Sequence, residues 1–478
     1  MPEWETVIGL EIHVALLTKS KLFCGCSTEY GALPNTQTCP VCLGHPGGLP
    51  VLNEQAVEYS IKAGLALNCK INFNSKFDRK QYFYPDMAKN YQISQDDQPL
   101  CSQGHVDLEV EGKKKRIRIA RAHLEEDAGK LTHEGDLVGA PSSLVDFNRC
   151  GVPLLEIVTE PDISSPAEAR LFLNKLWNII RYTGVSDCKM EEGSMRCDAN
   201  ISLRPQGSSE LGTKTELKNL NSFRAVERGL AYEAQRQAQI LAAGERVLQE
   251  TRLWDVEAGV TRGMRTKEGA HDYRYFPEPN LPPLKLDASW IERVRQTMPE
   301  LPDAREERFI CELGLSSYDA GVLVAAREVA NYFEEVLQHS AEAKAAANWV
   351  MGELLGRLRK DNLEIADCPV SPRHLAKLLA LQEKGRISSK MAKGVFEEMF
   401  NTGKDPEDIV KEKGLAQITD VDALEAVVEK VLSAHPQSVE DYKGGKDRAF
   451  GFLVGQVMKE TRGRANPQLV TKLLRERL

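Results

Sequence analysis

Within residues 6–17, TVIGLEIHVALL, apolar side chains recur at every second position from Ile8 to Val14, and that pattern suits one local conformation, a strand whose two faces meet different surroundings. Ile8, Leu10, Ile12 and Val14 point one way, and Glu11 and His13 point the other. The same spacing of two returns in RCDANISLR, which puts Asp198, Asn200, Ser202 and Arg204 on one face, and in TKTELKNLNS with Lys214, Glu216 and Lys218. In PLLEIVTE, Glu156 and Glu160 share a side, and the hairpin VDLEVEGKKKRIRI runs on into RAHLEEDAGK with Glu125, Glu126 and Asp127. Such a chain is restricted to a mainly antiparallel sheet with one buried face and one polar face.

The sheet pattern stops near MPELPDAREERF, beyond which the periodicity is helical throughout. A chain of 478 residues is too long for one core, so the sequence divides into an α+β domain over 1–293, a helical domain over 294–405 and a small helical tail over 406–478. Helix starts are marked by Ser371 before Pro372, Asp405 before Pro406 and Asn466 before Pro467. Within the first domain, Ser165, Pro166 and Glu168 open a helix that Gly184 ends, with Leu173, Leu176, Trp177 and Ile180 as its buried stripe. The formal net charge of −8 excludes a protein that is basic all over. From His435 onward, however, nine Lys and Arg face five Asp and Glu, so the tail is locally basic and suits phosphate contacts that position an RNA.

Acids that share one sheet face repel unless cations sit among them, so a hard divalent ion is their natural occupant, and magnesium would bring nucleotide phosphates with it. The alternative is the plain solvated side of a half-exposed sheet. In SKFDRKQYFYPDMAKNYQISQDDQPL, Arg79, Lys80 and Lys89 alternate with Phe77, Tyr82, Phe83, Tyr84 and Tyr91, a mixture that fits either core packing or stacking on a nucleotide or RNA end.

Four of the eleven cysteines, Cys24, Cys26, Cys39 and Cys42, fall in one turn-rich window as C-x-C, twelve residues, C-x-x-C. The acidic start MPEWETVIGLEIHV lacks the layout of a secretion signal and no run is apolar enough to span a bilayer, so the expected setting is cytoplasmic and reducing. There the pattern reads as a closed structural zinc site rather than disulfides or four idle thiols. GSSELGTKT fails the phosphate-loop spacing and is expected to be a hairpin loop.

VIGLEIHV, DRKQYFYPD followed by YQISQ, HLEEDAGK, KMEEGSMRCDANIS, TELKNLNSF, DYRYFPEP and GFLVGQVMKETRGRANPQLV together resemble the B-subunit family of bacterial tRNA-dependent amidotransferases, in order and over nearly the whole chain. The resemblance implies a cradle domain similar to the glutamine synthetase and guanidino kinase fold, then an all-α domain and a YqeY-like tail that grips tRNA. It implies a ligase that converts Glu-tRNA(Gln) to Gln-tRNA(Gln) or Asp-tRNA(Asn) to Asn-tRNA(Asn). ATP phosphorylates the side-chain carboxylate, ammonia comes from an amidase partner (the A subunit), and a small third partner (the C subunit) completes a heterotrimer. Carried onto this chain, Glu11, His13 and Glu125 would hold magnesium. Glu126, Asp127, Asp198 and Glu216 would line a second metal or the ammonia path. Arg79, Lys80, Lys89 and Lys218 would meet phosphate, and Lys459, Arg462 and Arg464 would meet tRNA. Where the commoner family form has Pro-Lys-Gly, this chain has Met87, Ala88, Lys89 and Asn90, and Asn90 is expected to take the left-handed backbone that glycine would supply. No amidase serine segment or glutaminase cysteine is recognisable, so a partner must supply ammonia. A non-catalytic zinc-containing RNA-binding protein and a ligase using free ammonia are the rivals.

Overall fold

The computed structural model describes residues 4–133, 142–266, 273–339, 342–415, 421–461, 465 and 467–478. They form two compact units, Met1–Leu301 and Pro302–Leu478.

The first unit is built on nine strands: β1 Trp4–Ala15, β2 Lys70–Ile71, β3 Cys101–Val110, β4 Lys113–Glu126, β5 Pro153–Thr159, β6 Met195–Pro205, β7 Thr215–Lys218, β8 Glu250–Asp255 and β9 Val260–Thr266. Their order is β9-β8-β7-β6-β1-β5-β4-β3-β2, antiparallel except where β7 pairs with β8. β1 is central because its apolar set, Ile8, Leu10, Ile12 and Val14, has almost no exposed surface. Each such side chain contributes about 1.5–3 kcal/mol by leaving water, and a one-residue slip of register would turn all four to the polar side.

Four helices cover the apolar face: α1 Glu54–Ala66, α2 Pro166–Thr183, α3 Phe223–Ala242 and α4 Ala288–Gln296. Ile61, Phe172, Leu176, Val226, Leu230, Ile291 and Val294 join the strand residues in one core. Ser165 Oγ accepts the Glu168 N–H at 3.2 Å and Gly184 ends α2 with φ of 72°. Glu168 reaches back to the N–H of Ser164 rather than to the cap residue, and it also holds Lys115. Because α4 packs into this core, the unit runs to Leu301, and a division at 293 would cut that helix.

The second unit is all helical among its described residues and contains two separate apolar clusters. The larger one gathers Phe309, Phe333, Val350, Leu375 and Phe396. The smaller one gathers Leu424, Val428, Leu453, Val457 and Leu473 from three helices, Val421–Ala434, Asp447–Glu460 and Pro467–Arg477. Ser371 and Asp405 cap their helices as the sequence indicates, and Asn466 lies outside the described residues. No helix among the described residues is long and apolar enough to cross a membrane, and all eleven cysteines are free thiols.

Candidate active site

The polar face of the sheet carries its charges in transverse rows. Register puts Arg196, His13, Glu156 and His123 side by side on β6, β1, β5 and β4, and Asp198, Glu11, Val158 and Arg121 in the next row. Glu125, two residues beyond His123, faces the same way. His13 Nε2 lies 3.5 Å from Glu125 Oε1 and 3.7 Å from Glu156 Oε2, and ligand atoms of all three residues fall within 4.8 Å of one another. Ser94, on the short strand Tyr91–Ser94, donates to Glu125 Oε2 at 3.1 Å.

His123 completes the cluster from within the sheet, its Nε2 3.3 Å from Glu156 and 3.7 Å from Glu125. Burial alone would strip its proton, but Glu156 and Glu125 overrule that and raise its pKa to about 8. Burial also opposes the charge on Glu156, yet His123, then His13 and Lys80, hold that carboxyl well below the usual carboxylate range. Two buried carboxylates and an imidazole converging on one point fit a divalent cation, and a protonated His123 with an unpartnered Nδ1 offsets only part of their charge.

The structure therefore brings together His13, Glu125 and Glu156, where the resemblance implies Glu11, His13 and Glu125. Glu11 stands one row away, accepting from Asn200 Nδ2 at 2.9 Å. It forms the rim of an adjoining cavity of about 290 Å³ lined by Val7, Gly9, Val158, Asn200, Ser202 and Lys214. The loop 206–214 that closes this cavity joins the antiparallel strands β6 and β7, so it is a hairpin loop.

The remaining carboxylates are placed differently. Glu126 follows Glu125 on the strand and so faces the opposite side, where it pairs with Lys89 and accepts the Ile93 N–H at 2.9 Å. Asp127 lies past the end of β4 between Arg196 at 2.8 Å and Arg149 at 3.3 Å. Asp198 and Glu216 share Lys218, at 2.6 and 3.2 Å, and their charges outweigh burial to raise the lysine's pKa. Glu160 lies just past the end of β5, where its N–H donates to the Arg118 carbonyl at 2.9 Å; the register shift at Val158/Thr159 puts the extra residue, Ala120, on β4.

Of the four cations expected at phosphate, three are already engaged. Arg79 grips the buried Glu278 at 2.5 and 2.9 Å and lies 4.1 Å over the Tyr91 ring. Lys89 and Lys218 hold the carboxylates named above. Lys80 has no carboxylate within ion-pair distance among the described residues; burial works against its charge, but Glu125 and Glu156 raise its pKa. Arg121 is a second cation on this face, with a buried Nε that has no partner. Sequence reasoning passed over Arg121 and His123 and gave Glu156 no ligand role. The spacing of two that runs Arg121, His123, Glu125 along β4, and the pairing of β5 with β1, are the signals that identify them.

In the aromatic segment, Phe77 is core, edge-on to Phe23 at 5.3 Å, while Phe83 and Tyr84 are exposed. Asn90 does adopt left-handed backbone, with φ of 61°. Lys459 is exposed at the end of the helix Asp447–Glu460, whereas Arg462 and Arg464 lie outside the described residues.

The sulfurs of Cys24, Cys26, Cys39 and Cys42 also lie within 4.8 Å of one another. Cys39 N–H donates to Cys42 Sγ at 3.2 Å, and the buried Lys21 ammonium lies 3.6 Å from the same sulfur, with the Phe147 carbonyl as its other partner. A buried ammonium needs an anion, so Lys21 favours a thiolate at Cys42, and four converging sulfurs with that charge beside them fit a zinc ion.

Residues 6–292 match the family described as GatB/GatE catalytic domain, and residues 331–478 match a GatB domain. Proteins named as the B subunit of aspartyl/glutamyl-tRNA(Asn/Gln) amidotransferase are similar over the full chain. The one from Carboxydothermus hydrogenoformans is 60% identical over 100% of this chain and 99% of its own length. Those from Moorella thermoacetica and Brevibacillus brevis are 58% and 57% identical, each over 100% of this chain and over 100% and 99% of their own lengths.

Proposed function

This chain belongs to the GatB/GatE family, and on that premise we propose that it is the carboxylate-activating component of a tRNA-dependent amidotransferase acting on Glu-tRNA(Gln), Asp-tRNA(Asn) or both. The observation that carries the reading is the convergence of half-buried His13 with buried Glu125 and Glu156 on the polar sheet face, beside a cavity of about 290 Å³.

A carboxylate is a poor acyl donor because its leaving group would be oxide. In the proposed reaction a side-chain oxygen of the tRNA-bound amino acid attacks the γ-phosphorus of ATP, and the bond to ADP breaks. Ammonia then attacks the acyl carbon, the carbon–oxygen bond to phosphate breaks, and phosphate departs with one former carboxylate oxygen while the surplus proton passes to phosphate or water. Magnesium held by His13, Glu125 and Glu156, with Glu11 beside them, would supply charge neutralisation on the phosphate oxygens. Lys80 and Arg121 position phosphate from the flanks. Val7, Val158 and Leu211 offer apolar walls to a nucleoside, with Asn200 and Ser202 as its polar partners.

Glu126, Asp127, Asp198 and Glu216 each already have a cation, which makes them poor ligands for a second metal, so we assign them to the ammonia path. Ammonia comes from the amidase partner, and the small third partner completes a heterotrimer. The zinc knuckle is structural, the cradle is of the glutamine synthetase and guanidino kinase kind, and the basic tail with Lys459, Arg462 and Arg464 holds tRNA.

In the assembled enzyme, Glu125→Gln is expected to lower tRNA-stimulated, magnesium-dependent ATP hydrolysis by about 10²–10³-fold with tRNA binding retained. If the unaltered complex binds misacylated tRNA yet never hydrolyses ATP, the reading gives way to a non-catalytic RNA holder.

A further inference from the structure

The cysteine knuckle and the Lys89–Glu126 pair are in direct contact, and we propose that the knuckle is the positioning element for that pair, with Gly44 as the residue that seats Lys89. The turn 41–45, which contains Cys42, meets Lys89 at Gly44. A methyl group at Gly44 would come within 2.4 Å of Lys89 Cγ, 3.1 Å of its Cβ and 3.2 Å of its Cα, and the backbone there has φ of 69°. Only glycine fits both conditions.

A second contact reaches the other half of the pair. Gly151, whose φ is 85°, brings its backbone between Cys42 and Glu126, so that a methyl group there would lie 3.6 Å from Cys42 Cβ, 3.5 Å from Lys21 Cδ and 3.8 Å from Glu126 Oε2. Cys150 Sγ donates to the Cys42 carbonyl at 3.5 Å, and Gly151 O accepts the Leu22 N–H at 2.9 Å. Gly44 and Gly151 line a cavity of about 90 Å³ together with Lys89, Glu126, Lys21, Cys24 and Cys42.

The four sulfurs hold the turn, and the turn holds the lysine stem. Loss of the knuckle's metal therefore releases Lys89 from Glu126 while leaving the His13, Glu125 and Glu156 cluster, on the opposite sheet face, in place. The consequence for turnover rests on the reading above that the Lys89–Glu126 pair lies on the ammonia path: carboxylate activation persists and amide formation falls, so that ATP is spent without product.

The test is amine labelling of Lys89 in the assembled enzyme, read by mass spectrometry with exposed lysines as internal reference. Unaltered protein is compared with chelator-stripped protein, Gly44→Ala and Gly47→Ala. Gly47 lies in the same segment with φ of 87°, but a methyl group there meets nothing within 4 Å. Labelling of Lys89 is expected to rise about tenfold in the stripped protein and in Gly44→Ala and to stay unchanged in Gly47→Ala. If Gly44→Ala does not fold, the stripped protein decides. Unchanged labelling after metal removal, or an equal rise in Gly47→Ala, overturns the proposal. A rise in labelling with amide formed per ATP unchanged leaves the positioning intact and refutes the ammonia-path reading instead.

Discussion

Glu156 is the residue whose removal most sharply tests the electrostatics of the cluster. Glu156→Gln keeps the shape of the side chain and takes away the charge that faces His123 at 3.3 Å and His13 at 3.7 Å. His123 then loses the first of the two carboxylates that lift its pKa to about 8, and its pKa falls back toward the ordinary histidine value of about 6.5. That change is worth about 2 kcal/mol. The folded pKa lies above the unfolded one, so this stabilisation is complete below about pH 6.5 and is lost as pH rises through about 8. Lys80 also feels Glu156, and that part of the loss does not vary over the same range. In chelator, urea unfolding followed by tryptophan fluorescence reports mainly the sheet unit, because Trp4, Trp177, Trp254 and Trp290 lie there and Trp349 alone does not. The stability gap between unaltered protein and variant is expected to shrink by about 2 kcal/mol between pH 6 and pH 9. A gap that stays constant across that range would show that His123 and Glu156 are not coupled as described.

Other expectations follow from single contacts. Gly9 lines the larger cavity, and a Cβ there meets only Thr159 O at 4.0 Å, so Gly9→Val fills the cavity without disturbing the strand and raises KM for ATP by about tenfold with tRNA affinity unchanged. Lys21→Met removes the ammonium beside Cys42 and weakens zinc retention by about 10–100-fold, measured by competition with a chromogenic chelator. Ile12→Ala opens a void under the central strand and costs about 2–5 kcal/mol of the sheet unit's stability in the same urea assay.

The alternation in residues 6–17 made the sheet legible because a strand's two faces are a local property: Ile8, Leu10, Ile12 and Val14 are buried and Glu11 and His13 are not. Caps at Ser165, Ser371 and Asp405 were legible for the same reason. The cation cluster was not, because it depends on which strands are neighbours. Glu156 meets His13 only through the pairing of β1 with β5, and Glu125 meets both only through the pairing of β5 with β4. Counting acids in HLEEDAGK groups Glu125 with Glu126, yet the pleat sends them to opposite faces, one to the cluster and one to Lys89. The ion pairs of Arg79, Lys89 and Lys218 are likewise tertiary and remove three basic residues from the set free to meet phosphate. The four knuckle cysteines were readable from spacing, whereas the buried lysine that serves them, Lys21, has no marker in the sequence.

The most direct measurement follows an oxygen atom. Misacylated Glu-tRNA(Gln) carrying ¹⁸O in its side-chain carboxylate is turned over by the assembled enzyme with ATP and glutamine, and the released phosphate is analysed by mass spectrometry. An activated acyl phosphate requires one labelled oxygen in inorganic phosphate for each amide formed. Amide formation accompanied by unlabelled phosphate would mean that the carboxylate never bonded to phosphorus, and the role given to His13, Glu125 and Glu156 would fall with it.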